Sequence, residues 1–146
     1  SRRFDMQTSA RNQFLGTVTA VKKGAVNAEV TLDIGNGAQL AAIITNDSAD
    51  HLALEVGSEA YALVKAQWII LTVETNFKTS ARNSLTGIVV RCQEGAVNAE
   101  VVIELPGGKT VASIITNESV KVLGLKEGVR ATAMIKASHI ILAVPA

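Results

Sequence analysis

The feature that most constrains the fold of this chain is an internal repeat. Residues 8–73 align with residues 79–144 without a gap, and about half of the aligned positions are identical. TSARN opens each copy, GAVNAEV follows it, and IITN comes later in both. Self-similarity over this length indicates one small folding unit used twice. The sequence therefore predicts an N-terminal arm at 1–7, a first module at 8–73, a linker at 74–78 and a second module at 79–146.

The hydrophobic pattern of one module predicts mostly strands. Apolar and polar residues alternate at 15–21, 26–34 and 39–44, with a hairpin turn at the GNG of 35–37, and Val26 is expected on the core face. A short helix at 46–54 follows, capped by Thr45 or Asn46, and then two strands at 59–66 and 68–73. This order is typical of an OB-type barrel. The expected fold is all-β, with two tandem OB-like five-stranded barrels and one short helix per module.

Composition argues against several classes of function. A net charge of +1 and an aromatic content of 3% leave little with which to attract or stack nucleic acid. The apolar runs are too short to span a membrane and no signal peptide opens the chain. A single cysteine fits a reducing compartment, and we expect a cytoplasmic protein. The single Cys92 cannot form an internal disulfide, and we expect it to be a small core residue.

Several polar residues recur in both copies while their neighbours differ. Lys65 and Lys136 are each a lone cation in an apolar stretch, ALVKAQWII and AMIKASHII, with no repeated acidic residue close in sequence. A cation in apolar surroundings needs a negative partner, so we expect an external anion. The recurring arginine, the hydroxyls and the free N–H groups at the helix start suit a compact tetrahedral dianion.

Each of these residues also has an ordinary structural explanation. Thr45, Asn46 and Ser48 could simply cap the helix. Lys65 could extend to the surface, and Arg11 could be a solvated arm residue. The sequence leaves these alternatives open.

The quoted segments, together with IITNDS and VKA, resemble the Mop module, also called the TOBE domain, which binds molybdate and tungstate. The resemblance covers both modules. It implies tandem OB-like barrels in a homo-oligomer, a dimer in preference to a trimer, with molybdate or tungstate bound at contacts between modules or subunits. Molybdenum would be held as the oxyanion, without direct protein ligands to the metal and without an organic cofactor. Trimeric relatives imply extra backbone sites at 24–27 and 95–98.

The same resemblance assigns ten oxyanion-binding side chains in two sets. In the first, Ser9, Arg11 and Lys65 provide ligands, and Thr45 and Ser48 close the site from a neighbouring module. The second set is complete as well and consists of Ser80, Arg82, Lys136, Thr116 and Ser119.

The opening RRFDMQTSARN resembles the junction in ModE-type molybdate-responsive transcription regulators, where a DNA-binding domain precedes two Mop modules. Because the sequence starts inside that junction, without the DNA-binding domain, we expect the effector-sensing half of such a regulator. It would reach DNA only through a domain absent from this chain and would not bind a membrane. The alternative is a free-standing di-Mop protein that stores or buffers molybdenum in the cell.

An enzyme and a nucleic-acid-binding OB fold are the competing classes. Catalysis needs paired carboxylates, a nucleophile with its base, or a metal cluster. His51 and His139 fall at non-equivalent positions of the repeat and have no repeated Cys, Asp or Glu companion at metal-ligand spacing. We expect both to be surface or packing residues and expect no enzymatic activity. A salt-sensitive gel shift would favour the nucleic-acid binder instead.

Overall fold

In the computed structural model, which describes residues 6–146, the two repeats have the same order of elements. The first contains β1 (Asn12–Lys23), β2 (Asn27–Gly35), β3 (Ala38–Thr45), α1 (Asn46–His51), β4 (Glu59–Val64) and β5 (Ile70–Thr72). The second contains β6 (Asn83–Glu94), β7 (Asn98–Glu104), β8 (Thr110–Thr116), α2 (Asn117–Leu123), β9 (Arg130–Ile135) and β10 (Ile141–Ala143). The expectation of a mostly-β chain with one short helix per repeat is confirmed. The first residues of the predicted arm, 1–5, lie outside the described residues.

The strands form two five-stranded antiparallel sheets, ordered β10-β4-β1-β2-β3 and β5-β9-β6-β7-β8. The first half of β1 pairs with β4 and the second half with β2, and a bulge between Val18 and Ala20 bends the strand there. The strand β6 does the same, with its bulge between Val89 and Arg91. A long bent strand shared by two neighbours gives each sheet its OB-like curvature.

The two sheets exchange their last strands, which the sequence pattern does not predict. The strand β5 pairs with β9, with Ile70 opposite Met134, and β10 pairs with β4, with Ile141 opposite Leu63. The strand expected at 68–73 begins later than predicted because a 3-10 turn, Ala66–Trp68, occupies its start. The boundaries 8–73 and 79–146 describe the sequence repeat. As limits of independent folding units they stay a prediction.

Two further details of the predicted module are wrong. The first helix ends at His51 and not at 54, because Ala53 adopts a left-handed conformation with φ of 50°. Gly124 takes the same role after α2, with φ of 65°. Val26 is 69% exposed and does not face the core, because β2 starts only at Asn27.

The inward faces of both sheets supply the hydrophobic core, in which the largest fully buried side chains include Leu32, Leu40 and Ile103. A repeated glycine permits the close approach of neighbouring strands at the bend. A Cβ on Gly87 would lie 2.2 Å from the carbonyl oxygen of Glu104, and one on Gly16 would lie 2.9 Å from that of Asp33. No side chain fits at that separation, which explains why this position is glycine in both copies.

The repeats are joined by two buried asparagines, Asn12 and Asn83, each 2% exposed. The amide of Asn83 donates to the carbonyl oxygen of Ala41 at 2.9 Å, and its oxygen accepts from the Ala41 N–H at 2.7 Å. Asn12 makes the same pair of bonds to Ala112, at 2.8 and 2.7 Å. Both partners lie on the edge strands β3 and β8. The asparagine side chains thus form hydrogen bonds with backbone groups on the edge strand of the opposite sheet.

Candidate functional site

The structure brings Ser9 and Lys65 together in one cavity of about 200 Å³. The TSARN segment runs into β1, and Lys65 stands where β4 gives way to the 3-10 turn. The Nζ of Lys65 lies 5.6 Å from the centroid of the Trp68 ring. Lys65 forms no ion pair with any residue in the described range. It is exposed, as the surface alternative expected, and its charge is available to an external anion.

The second copy builds an equivalent cavity of about 290 Å³, which contains Ser80 and Lys136. Lys136 likewise has no ion-pair partner within residues 6–146. Trp68 and His139 line both cavities, and their ring centroids are 4.8 Å apart. These two residues occupy equivalent positions of the repeat, so the cavities meet at the pseudo-symmetry axis.

The two predicted arginines point elsewhere, to the glutamates of the repeated NAEV segments. Arg82 donates from Nη2 to Oε1 of Glu29 at 2.6 Å, and Arg11 donates from Nη2 to Oε2 of Glu100. Arg91 adds a contact of 3.2 Å to Glu100. The Arg82–Glu29 and Arg11–Glu100 pairs cross from one repeat to the other, whereas Arg91 and Glu100 belong to the same repeat. Among the described residues, Arg11 is therefore a cross-module partner whose side chain stays half exposed, and it is absent from the lining of the Ser9 cavity.

The Glu29–Arg82 pair is close enough to affect ionisation. The hydrogen bond from Arg82 lowers the pKa of Glu29, although partial burial acts in the opposite direction. The same hydrogen bond raises the pKa of Arg82. Both groups are therefore charged at neutral pH.

Thr45 and Ser48 satisfy one another at the start of α1. The Ser48 N–H donates to Oγ1 of Thr45 at 3.0 Å, and the hydroxyl of Thr45 donates to Oγ of Ser48 at 2.9 Å. Thr116 and Ser119 repeat this arrangement at α2, with 3.1 and 2.9 Å. The capping alternative is thus confirmed for Thr45, with Ser48 as its partner, whereas Asn46 is the first helical residue and does not cap the helix. None of these four residues lines the Ser–Lys cavities in the described part of the chain.

Each GAVN segment forms a tight turn, and the asparagine that begins the helix of the same repeat, Asn46 or Asn117, holds the turn closed. The Gly24 N–H donates to the Asn27 carbonyl oxygen at 2.7 Å, and the amide of Asn46 donates to the Gly24 carbonyl oxygen at 2.9 Å. Gly95 and Asn117 make the same bonds, at 2.7 and 3.0 Å. The repetition of this asparagine is explained by the turn, while the extra backbone sites at 24–27 and 95–98 stay a prediction.

The sequence does not reveal the contacts of three pairs of residues at equivalent positions of the repeat. Asn12 and Asn83 are repeated and polar, but nothing in the sequence shows that they reach the other repeat. Glu29 and Glu100 are the identical acidic pair, yet they lie far in sequence from the arginines that they bind. Trp68 and His139 occupy equivalent positions but are different residues, so comparison of the two copies for identical residues does not identify them.

The remaining titratable candidates behave as packing or surface residues. His51 is exposed, and His139 is half-buried against Trp68, in accord with the expectation for both. Cys92 is half-buried against the core. Burial, and secondarily the charge of Glu94, raises the pKa of its thiol. The thiolate is therefore disfavoured, as expected of a structural cysteine.

Within residues 6–146, neither helix has the length and apolar character that a membrane crossing requires.

Comparisons with known proteins find related sequences over nearly the whole chain. The molybdenum transport protein ModE of Azotobacter vinelandii is 47% identical over 139 residues, which are 95% of this chain and 52% of ModE. The molybdenum-pterin-binding protein MopA of Rhodobacter capsulatus is 46% identical over 141 residues, which are 96% of this chain and 53% of MopA. This chain thus spans about half the length of these curated relatives.

A solved structure of the cytoplasmic molybdate-binding protein ModG, with molybdate bound, is 52% identical. It superposes with a TM-score of 0.93 and covers 96% of this chain and 100% of ModG. The family model of the TOBE domain matches residues 8–71 and 79–142, which is most of each repeat. The chain therefore belongs to the TOBE domain family, with two copies of that domain.

Proposed function

We propose that this chain binds molybdate or tungstate. The observation that carries the proposal is the pair of equivalent cavities, each of which places a repeated serine beside a lysine that forms no ion pair with the described residues. ModG has molybdate bound, and ModE and MopA are named for molybdenum. Their names describe binding and transport, and we propose no catalytic activity for this chain.

A tetrahedral dianion suits the groups available. The ammonium groups of Lys65 and Lys136 supply charge, and the hydroxyls of Ser9 and Ser80 donate hydrogen bonds without adding charge. Arg11 and Arg82 would add a second cation to each site through the guanidinium nitrogens that the glutamates leave unused. Binding replaces the water shell of the anion by these donors.

Completion of each site by a neighbouring module is part of the proposal. Thr45, Ser48, Thr116 and Ser119 do not line the cavities within this chain, so they complete a site only where another module places them against it. We propose a homo-oligomer, a dimer ahead of a trimer, whose association is linked to anion binding. Light scattering of the purified chain with and without tungstate measures that linkage. A mass that is monomeric in both states would contradict it.

We infer further that the chain acts in the cytoplasm, as ModG does, as the effector-sensing part of a molybdate-dependent transcription regulator. The alignment with ModE supports this role, because the chain matches about half of a longer protein. The full coverage of ModG favours the alternative, a free-standing di-Mop protein for molybdenum storage. The complete reading frame separates the two roles, since a DNA-binding domain preceding this segment identifies the regulator.

Calorimetric titration of the wild type with molybdate, tungstate and sulfate tests the proposed binding. Replacing Lys65 or Lys136 by Ala removes the cation from one cavity, and we expect the affinity of that site to fall by about 2–5 kcal/mol. The variant Lys126→Ala, which removes an exposed lysine outside the cavities, is the matched control. Unchanged affinity in both cavity variants, or equal affinity for sulfate in the wild type, would refute the proposal.

A further inference from the structure

The reciprocal ion pairs between the repeats bear on how strongly an anion is held. We propose that Glu29 and Glu100 set the affinity of the two sites: each holds the arginine of one site from the opposite repeat and opposes, by its negative charge, the binding of a doubly charged anion. This inference rests on the proposed oxyanion binding and adds two residues that the predicted ligand set did not contain.

Each glutamate is hydrogen-bonded directly to its arginine. The carboxylate of Glu29 accepts from Nη2 of Arg82 at 2.6 Å, and Glu100 makes the corresponding contact with Arg11. A guanidinium carries five N–H donors, so Nε and Nη1 are available to an anion while Nη2 is engaged. An anion bound there lies within a few ångströms of the carboxylate. It has either to displace the glutamate or to tolerate its charge.

The partial burial of the glutamates strengthens the repulsion between their carboxylates and a bound anion. The glutamate side chains are 29% and 21% exposed, whereas the arginine side chains are 49% and 50% exposed. The carboxylates are thus the less hydrated partners, and the guanidinium groups are the more accessible to an anion from solvent. In the proposed site, where the arginine joins the lysine of the cavity, these two charges sum to +2, and the glutamate brings the sum to +1. Repulsion between the glutamate and a dianion is twice that for a monoanion of the same shape.

The two sites are not equal in this respect. Glu100 is shared between Arg11 and Arg91, whose equivalent in the first repeat is Ala20. Glu29 has Arg82 as its direct partner, and the charge of Lys22 also acts on it, but without an ion-pair contact among the described residues. An additional cation beside Glu100 offsets part of its charge, and we therefore expect the site of Arg11 to bind a dianion more tightly than the site of Arg82.

The test uses Glu29→Gln, Glu100→Gln and the double variant of the full chain. Glutamine keeps an oxygen that accepts from the arginine and removes only the charge. The matched control is Glu104→Gln, which makes the same change of net charge on β7 at a residue without an ion pair in the described part of the chain. Circular dichroism and thermal melting establish that each variant is folded. Two probes are titrated calorimetrically: tungstate, a dianion, and perrhenate, a tetrahedral monoanion of similar size.

We expect tungstate to bind the double variant on the order of tenfold more tightly than the wild type at low salt, and perrhenate about threefold more tightly, since the repulsion scales with anion charge. Added salt should reduce both gains. Equal changes for the two anions, weaker binding of both, or tungstate affinity within about twofold of the wild type would overturn the inference. If the wild type binds neither molybdate nor tungstate, it is the proposed function that fails.

Discussion

At the scale of single residues, Asn12 and Asn83 show how a repeated polar side chain can serve structure. Each reproduces the hydrogen-bonding pattern of a peptide group and caps one residue of an edge strand in the opposite sheet. The amide also donates to its own sheet, to Val64 at 3.3 Å from Asn12 and to Ile135 at 3.2 Å from Asn83. A single buried side chain thus ties three backbone groups from both repeats together.

Replacing Asn83 by Ala should lower the free energy of unfolding by about 1–3 kcal/mol, because the N–H and C=O of Ala41 lose their partner in a half-buried setting. Urea denaturation followed by circular dichroism measures the loss. The matched control is Asn76→Ala in the exposed linker, which should change stability by less than about 0.5 kcal/mol. Similar values for the two variants would show that the inter-repeat bonds contribute little.

The ion pair of Glu29 with Arg82 makes a signed prediction for pH. The pKa of Glu29 is lowered in the folded state, so the pair stabilises the fold at neutral pH and its contribution disappears as the pH falls through that lowered value. The wild type should therefore melt slightly above Glu29→Gln at about pH 7, and this gap should close below about pH 4. Scanning calorimetry of both proteins over this range measures it. A gap that persists unchanged in acid would exclude the ion pair as its cause.

At the scale of elements, the exchange of β5 and β10 decides how the repeats fit together. Each of these strands is three residues long and adds to the sheet of the other repeat, antiparallel to β4 or β9. A 3-10 turn precedes each one and begins directly after the lysine of the candidate site. The strand exchange and the position of Lys65 and Lys136 are therefore parts of one local structure.

Engineered disulfides test the exchange directly. In a Cys92→Ser background, Leu63→Cys with Ile141→Cys should cross-link on oxidation, because these residues are opposite each other in the β4–β10 register. The matched control is Leu63→Cys with Ile70→Cys, which would face each other only if β5 returned to its own sheet. Non-reducing electrophoresis and peptide mapping at monomer mass identify the bond. Preferential linkage of 63 to 70 would contradict the exchanged arrangement.

The sequence predicted the positions of strands and helices much better than the pairing of the strands in the sheets. Strand periodicity located β2 and β3 within a few residues, because one face of each strand packs on the core, as at Val30 and Leu32. It could not assign β5 and β10 to a sheet, since a three-residue apolar strand satisfies either neighbour equally. The predicted first helix, 46–54, is too long because Ala53 takes a left-handed conformation that alanine rarely adopts.

For the candidate site, the repeat located the side chains but not their contacts. Ser9 and Lys65 share a cavity, as do Ser80 and Lys136, whereas the arginines of the predicted sets do not line it; as oxyanion sites these sets stay a prediction. The engagement of Arg11 by Glu100 was not foreseeable, because it joins residues from different repeats whose proximity depends on the fold. Pairing of this kind needs the structure.

At the scale of the whole molecule, the two repeats are connected by exchanged strands and by side-chain contacts. Neither contains all five strands of its own sheet, both asparagine bridges cross between them, and both arginine–glutamate pairs do the same. The two cavities meet at Trp68 and His139. An anion that draws Arg11 or Arg82 away from its glutamate therefore acts on contacts between the repeats. This connection gives the proposed sensing role a physical route from the site to the arrangement of the modules.

The most direct measurement is crystallographic: crystals of the chain soaked in tungstate, with data collected at a tungsten absorption edge. We predict anomalous peaks within hydrogen-bonding distance of Lys65 Nζ and Ser9 Oγ and at the equivalent atoms of Lys136 and Ser80. Full-occupancy peaks located only elsewhere, with both lysines extended into solvent, would contradict the assignment of these cavities as the oxyanion sites.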